Sequence, residues 1–396
     1  MKSKKIGVHI TTFTFVVYIQ KTNKQTRFYV LLWGDGGVRT VRKIISFGGD
    51  VVKFAGDALL CVWPPDPTLF NDLEKQKKDL EQLTLLATKC ALDIQIEYGV
   101  MKLAGAKITE NSKKKNGMEE LELKVKLGIG VGKCSLLIVG GNLGRCEYLV
   151  CGDALMQAFR CEADCLPKQV VVSKQAQEIL GDLCQWKSIP TSEVGNVLVT
   201  WADSVRREHF DRLNVTPQLA NKMKGYIPSA IRPHLDMPST LWTGELREVT
   251  VLFISLPFDA KRLIDLDKDY NTNILSTVQK NIHVLQDVIY KYQGSLNKFL
   301  VDDKGSTVMA VFGLPPVAHN NDPTRAVLAA LELQRRFTRL TKHSTAALGL
   351  ASGIVFSGLI GGTTGSRREY TVLGNQVNLA ARLMSLAKKN SVRLGG

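Results

Sequence analysis

Long hydrophobic runs are missing from this chain of 396 residues, and that absence excludes a helical membrane span, which needs about 18 consecutive apolar residues. The stretch from Ile6 to Ile19 comes nearest. His9, Thr11, Thr12 and Thr14 interrupt it and no small-residue cleavage site follows, so it reads as a strand region rather than a span or leader. Cysteine is lacking from the whole second half: all eight lie between Cys61 and Cys184. Their spacings match neither a disulfide framework nor a zinc site. Reduced thiols in a soluble, cytoplasmic protein follow, with Cys161 and Cys165 read as buried packing. Prolines number only 13, and no low-complexity tract is present, which excludes a disordered chain.

What is there is globular: 44% hydrophobic and 22% charged residues, with enough length for two domains that each bury a core. The net charge of +15 gives a basic surface and raises the question of a polyanionic partner. The basic residues are scattered, however, and the tight cluster Lys113 to Lys115 reads as a loop before Asn116-Gly117. Without an aromatic-basic motif, nucleic acid is not an expected partner.

The chain repeats itself. Gly49-Asp50-Val51-Val52-Lys53-Phe54-Ala55-Gly56-Asp57, followed by an apolar run to Trp63, returns as Gly294-Ser295-Leu296-Asn297-Lys298-Phe299-Leu300-Val301-Asp302, followed by Val308 to Phe312. Each copy predicts a hairpin that carries a lysine on its first strand and an acid at its turn. A second block, Leu127 to Arg160, matches Leu348 to Arg382; within it Glu147-Tyr148-Leu149-Val150-Cys151-Gly152 stands against Glu369-Tyr370-Thr371-Val372-Leu373-Gly374. Amphipathic helices are predicted over Leu73 to Glu97 and Pro323 to Leu340, the latter starting at Asp322-Pro323. Each half is therefore read as α+β, with helices on one face of an antiparallel sheet. Residues 1–185 form the first domain, 186–246 a linker rich in Pro, Ser, Thr and charge, and 247–396 the second domain.

Phe47-Gly48-Gly49-Asp50 with Lys53-Phe54-Ala55-Gly56-Asp57-Ala58-Leu59-Leu60, and Glu369 to Gly374 with Val377-Asn378-Leu379-Ala380-Ala381-Arg382, resemble the class III nucleotidyl cyclases, in particular the soluble, bicarbonate-responsive adenylyl cyclases. The resemblance covers roughly residues 41–185 and 247–394. It implies two ferredoxin-like cyclase domains paired head to tail, with one catalytic site and one degenerate site between them, and conversion of ATP to cyclic AMP and pyrophosphate. It also implies Mg²⁺ or Mn²⁺ as cofactor, Ca²⁺ being a further divalent cation in this group.

On that resemblance Asp57 is the metal carboxylate, since hard cations take carboxylate oxygens; its plain alternative is a turn residue bonded to its own backbone. Asn378 orients the ribose, and Arg382 places a charged donor fork on the phosphate in the transition state. Their spacing of four sets both on one helical face. Lys298 and Thr371 match the pair that reads adenine, Phe54 lies beside the nucleotide, and Lys126 matches a lysine on the terminal phosphates, although a strand-edge lysine also serves against edge pairing. At the degenerate site Lys53, Val150 and Val301 match bicarbonate-site positions. Phe159 replaces the arginine expected there and Arg160 falls one position on, about 100° around a helix.

Two departures stand out. The family's first metal aspartate belongs to a strand of pattern Phe-x-Asp-Ile-x-Gly-Phe, which is absent; Val8-His9-Ile10 places His9 at nearly the expected separation from Asp57. A neutral imidazole is a poor Mg²⁺ ligand, and a polar residue on a half-exposed strand is the simpler reading of His9. At the other end Ser391-Val392-Arg393-Leu394 aligns with Gln169 to Val172 and the sequence stops, so a second domain without its closing elements is expected, with a longer cyclase or other partner covering it. These departures keep open an alternative: a pseudo-cyclase that binds nucleotide and regulates a full-length enzyme.

Overall fold

The repeat in the sequence becomes a repeat of topology in the computed structural model, which describes residues 7–11, 16–21, 35–55, 58–69, 71–103, 121–204, 216–228, 230–232, 244–256, 272–302, 305–340, 346–361, 368–387 and 391–395. In the first half the order is β1 (Gly7–Thr11), β2 (Val16–Lys21), α1 (Asp35–Ser46), β3 (Asp50–Ala55), β4 (Ala58–Val62), α2 (Leu73–Tyr98) and β5 (Val100–Leu103). It continues with β6 (Leu121–Gly130), β7 (Cys134–Gly140), β8 (Cys146–Gly152), α3 (Asp153–Asp164), β9 (Val170–Val172), α4 (Lys174–Leu180), β10 (Cys184–Ser188) and β11 (Val197–Ala202). After α5 (Pro217–Met223) the second half runs β12 (Glu245–Ser255), α6 (Thr272–Lys291), β13 (Ser295–Asp302), β14 (Gly305–Phe312) and α7 (Asp322–Leu340). It ends with β15 (Ala347–Gly361), β16 (Arg368–Leu373), α8 (Asn375–Leu386) and β17 (Ser391–Gly395). No helix among the described residues is long and apolar enough to cross a membrane.

The second sheet has the order β13-β14-β12-β15-β16, with β17 parallel on β15; the first has β10-β11-β9-β6-β2-β4-β3, with β9 parallel on β6. The β3–β4 and β13–β14 hairpins correspond, and the pairs β6 with β7 and β8 play the parts of β15 and β16. Strands β1, β7 and β8 form a separate three-stranded sheet.

Strand side chains alternate between faces, so each sheet buries two sets. In the second half Leu252 and Ile254 pack with α6 and α7 on one face, whereas Val249 and Val251 join Ala380 of α8 on the other. In the first, Leu59 and Cys61 face α1 and α2, and Leu60 and Val62 face α3. Helices thus flank both faces of each sheet, and the expectation of helices on one face is corrected. The cause is legible afterwards: Ala58 to Val62 is buried at every position, as a strand covered on both sides requires.

Local chemistry supports these elements. Asp72 caps α2 by accepting from the Lys75 amide at 3.1 Å, and Leu83, Leu86, Cys90 and Ile94 form the helix's buried stripe. Helix α8 lies close on β15 because Gly349 has no side chain: a Cβ there would stand 2.2 Å from the Ala380 carbonyl oxygen. Gly128 makes the matching approach of α3 to β6, with the Ala158 carbonyl at 2.3 Å.

The first sheet runs past residue 185. Strands β10 and β11 pair with each other and, through Val197 and Leu198, with β9, so the first sheet extends to Ala202. The two halves exchange packing surfaces. Leu137, Val139, Leu149 and Cys151 from β7 and β8 enter the core of the second half, and Ile360 and Leu373 enter that of the first.

Replacing Gly349 by Ala forces α8 away from the sheet. Overpacking of this kind costs about 1–3 kcal/mol, and a thermal melt of the variant should show Tm lowered by several degrees; an unchanged Tm would mean that the helix can back away freely.

Candidate active site

The site begins with two lysines that the repeat makes equivalent. Each hairpin carries a bulge immediately before its lysine, between Val51 and Lys53 and between Leu296 and Lys298, and a bulge re-aims the side chain that follows it. Lys53 is 8% exposed and Lys298 6%, and each reaches across to the opposite half. The Lys53 ammonium donates to the Phe299 carbonyl at 2.5 Å and to the Tyr148 carbonyl at 3.3 Å, and lies 5.1 Å from the centre of the Tyr148 ring. The Lys298 ammonium donates to the Phe54 carbonyl at 2.8 Å.

Two glutamates complete the pattern. Glu369 on β16 accepts from the Phe54 amide at 3.1 Å, so both polar groups of Phe54 are held by the second half. Glu147 on β8 is buried and pairs with Arg145, whose Nη2 lies 2.7 Å from Oε1. Burial pushes the Glu147 carboxyl above its ordinary range, against the opposing charges of Arg145 and Lys53, and the Glu369 charge adds to the rise. Burial lowers the Lys298 ammonium, with Glu369 acting against the shift and Lys53 with it.

Beside this charged cluster are polar groups with unused capacity. An ammonium has three N–H donors, and among the described residues Lys298 uses one. Thr371, fully buried on β16, has no hydrogen-bond partner for its hydroxyl. Asn297, the bulged residue before Lys298, is 7% exposed with neither amide atom partnered. Buried polar atoms are normally satisfied, so this concentration marks a place where a polar ligand can bind.

Asn378 and Arg382 sit one turn apart on α8, the first half-buried and the second exposed. Phe54 is fully buried between the halves. Lys126 on β6 is already paired, 2.9 Å from Glu162. Val150 is buried on β8, while Arg160 on α3 is exposed. Asp57 and the side chains of His9 and Val301 lie outside the described residues.

The strand register separates His9 from the hairpin's end. Across the hairpin, Ser255 of β12 pairs with Thr307 and Gln20 of β2 pairs with Ala58, and Thr307 and Ala58 are equivalent because Lys298 pairs with Met309 and Lys53 with Leu60. His9 instead pairs with Leu136, the place that Glu245 takes opposite Ser357. Gln20, not His9, therefore stands on the central strand at the hairpin's end. Among the described residues no group of three or more His, Cys, Asp or Glu is placed to hold a metal ion.

Sequence reasoning missed Glu147 and Glu369 as members of the site, although they opened the repeated Glu-Tyr block. It also missed Asn297 and Gln20. For Asn297 the signal was available: a polar residue where the first copy has Val52, inside an otherwise apolar strand.

The family model described as the adenylate and guanylate cyclase catalytic domain matches residues 243–396. Adenylate cyclase type 10 of Homo sapiens is 27% identical over 370 residues, 87% of this chain and 21% of the relative. The Oryctolagus cuniculus protein of the same name is 28% identical with the same coverage. The chain thus spans about a fifth of the length of these curated relatives. In three dimensions it is similar to a class III adenylyl cyclase-like ATP-binding protein from Pseudomonas aeruginosa, with a TM-score of 0.58 and 14% identity over 98% of this chain and 84% of that one. That likeness shows a common fold. Residues 243–396 thus match the adenylate and guanylate cyclase catalytic domain, and over most of its length the chain is similar to adenylate cyclase type 10.

Proposed function

We propose that this chain converts ATP to 3′,5′-cyclic AMP and pyrophosphate at the seam between two ferredoxin-like cyclase domains paired head to tail, within the cytoplasm. The observation that carries the reading is the pair of buried, under-used polar groups on the second half, the Lys298 ammonium and the Thr371 hydroxyl. Adenine offers an acceptor at N1 and donors at N6 along one edge. An ammonium and a hydroxyl complement that edge, and a site built to bond a polar edge rejects ligands that leave its groups unpaired.

In the cyclisation the ribose 3′-oxygen attacks the α-phosphorus, and the bond to the pyrophosphate oxygen breaks. Asn378 holds the ribose. Arg382, permanently charged, donates to phosphoryl oxygens whose charge grows in the transition state. Exposed in the structure, Arg382 is accessible to a nucleotide that enters along α8. Lys126 reaches the terminal phosphates only by leaving Glu162.

Residues 1–21 do not supply the family's first metal acid at the strand end, where the register gives Gln20. A carboxamide carries no charge to hold a hard cation. The described residues therefore do not fit a site of two carboxylates, and Mg²⁺ or Mn²⁺ binding rests on Asp57. The same observation favours a second reading, a partner that binds ATP without turnover and regulates a longer cyclase. Bicarbonate finds little support, because the Lys53 ammonium is occupied by two carbonyls and Arg160 faces solvent.

Purified protein given ATP with Mg²⁺ or Mn²⁺ should accumulate cyclic AMP. Arg382→Ala should lower kcat by about 10²–10³ with a smaller change in KM, and a variant that kept full kcat would remove Arg382 from the mechanism. Gln20→Asp should raise the Mg²⁺-dependent rate at least several-fold, whereas His9→Asp should not. Wild-type protein that binds ATP and forms no product, beside a Gln20→Asp variant that does, establishes the second reading.

A further inference from the structure

A cleft of about 300 Å³ opens on the side of the molecule where three parts of the chain meet: the turn between β7 and β8, the segment before β12, and the start of β13 with the end of β14. Its size is that of a small-molecule site. The floor is apolar, made by Leu296, Val311, Leu314 and Pro316, while Arg232, Tyr290, Gln293 and Ser295 bring polar groups to the same space. Among the described residues no carboxylate lines it.

The two arginines at this cleft differ in what they have left to give. Arg145 is neutralised by Glu147 at 2.7 Å and directs another nitrogen to the Gly225 carbonyl at 3.5 Å. Arg232 donates from Nε to the Ile227 carbonyl at 3.1 Å, which fixes its guanidinium, and among the described residues it has no carboxylate partner. Among the described residues its two terminal nitrogens have no partner and form a donor fork, the geometry that takes a carboxylate or phosphate. Burial pushes the Tyr290 hydroxyl above its ordinary range, against the charges of Arg145 and Arg232 and a hydrogen bond with Gln286. Gln293 spends its oxygen on Arg325 at 2.9 Å and keeps its amide protons. Net charge, donors without acceptors and an apolar floor all select one ligand class.

We propose that this cleft is a binding site for a small organic monoanion with a flat or aliphatic apolar body, its acid group on Arg232 and its body against Leu296 and Leu314. The site is separate from the adenine-reading groups but physically linked to them. Leu296 also borders the small void that Glu147 and Lys298 share, and Arg145 joins the cleft to Glu147. An occupant would therefore touch both halves and the connecting segment at once.

The test uses the full chain and three probes with one ring system: 2-naphthoate, 2-naphthamide and 2-naphthylmethylammonium, with affinities measured by calorimetry and ligand-observed NMR. Naphthoate should bind at least tenfold more tightly than the amide, and the ammonium should not bind. Arg232→Gln should erase the preference for naphthoate and leave amide binding unchanged. Val317→Trp, at the exposed rim of the cleft, should weaken both. Equal affinity of naphthoate and amide, no naphthoate binding, or full naphthoate affinity in either variant would overturn the assignment.

Discussion

The structure depends on a reciprocal hold: each half buries a lysine whose acceptor belongs to the other. Lys53 reaches the Phe299 carbonyl and Lys298 the Phe54 carbonyl. A hydrogen bond from a charged donor contributes about 1.5–3 kcal/mol, and a buried charge left unpaired costs several. Neither half alone can meet that demand. The apolar exchange around it points the same way, with Leu149 and Cys151 in the second core and Leu373 in the first.

This arrangement also explains how a symmetric frame supports unequal chemistry. Both hairpins keep the bulge, the lysine and the glutamate behind it, because these hold the seam. Positions that do not hold the seam differ: Met156 on α3 against Asn378 on α8, Leu149 against Thr371, Val52 against Asn297. The differences gather polar side chains on one side, the buried Thr371 hydroxyl and Asn297 amide among them, and the candidate site belongs to that side.

Much of this was legible in the sequence, because the two hairpins and the Glu-Tyr blocks keep a nearly constant offset and so declare equivalent positions. The crossed lysines were not, since their acceptors are backbone carbonyls that no residue identity announces. Gln20 was hidden for another reason. From Ile10 to Val16 is six steps, and from the equivalent Leu246 to Val251 five, so β2 stands one residue out of step with β1 when both are matched to β12. Only pairing with β4 and β6 fixes the register, and a one-residue slip reverses every side chain. Strands β10 and β11 were read as linker because Pro190 and Gly195 punctuate a short hairpin whose partner, β9, lies elsewhere in the chain.

The double grip on Phe54 has a mechanical corollary. With its amide on Glu369 and its carbonyl on Lys298, the end of the first hairpin is carried by the opposite domain, three residues from Asp57. The domains are thus geared rather than hinged: a rotation that widened the seam would carry Phe54 along or break two buried bonds. Opening the seam therefore costs both bonds at once, and neither half can loosen its hold on Phe54 by itself.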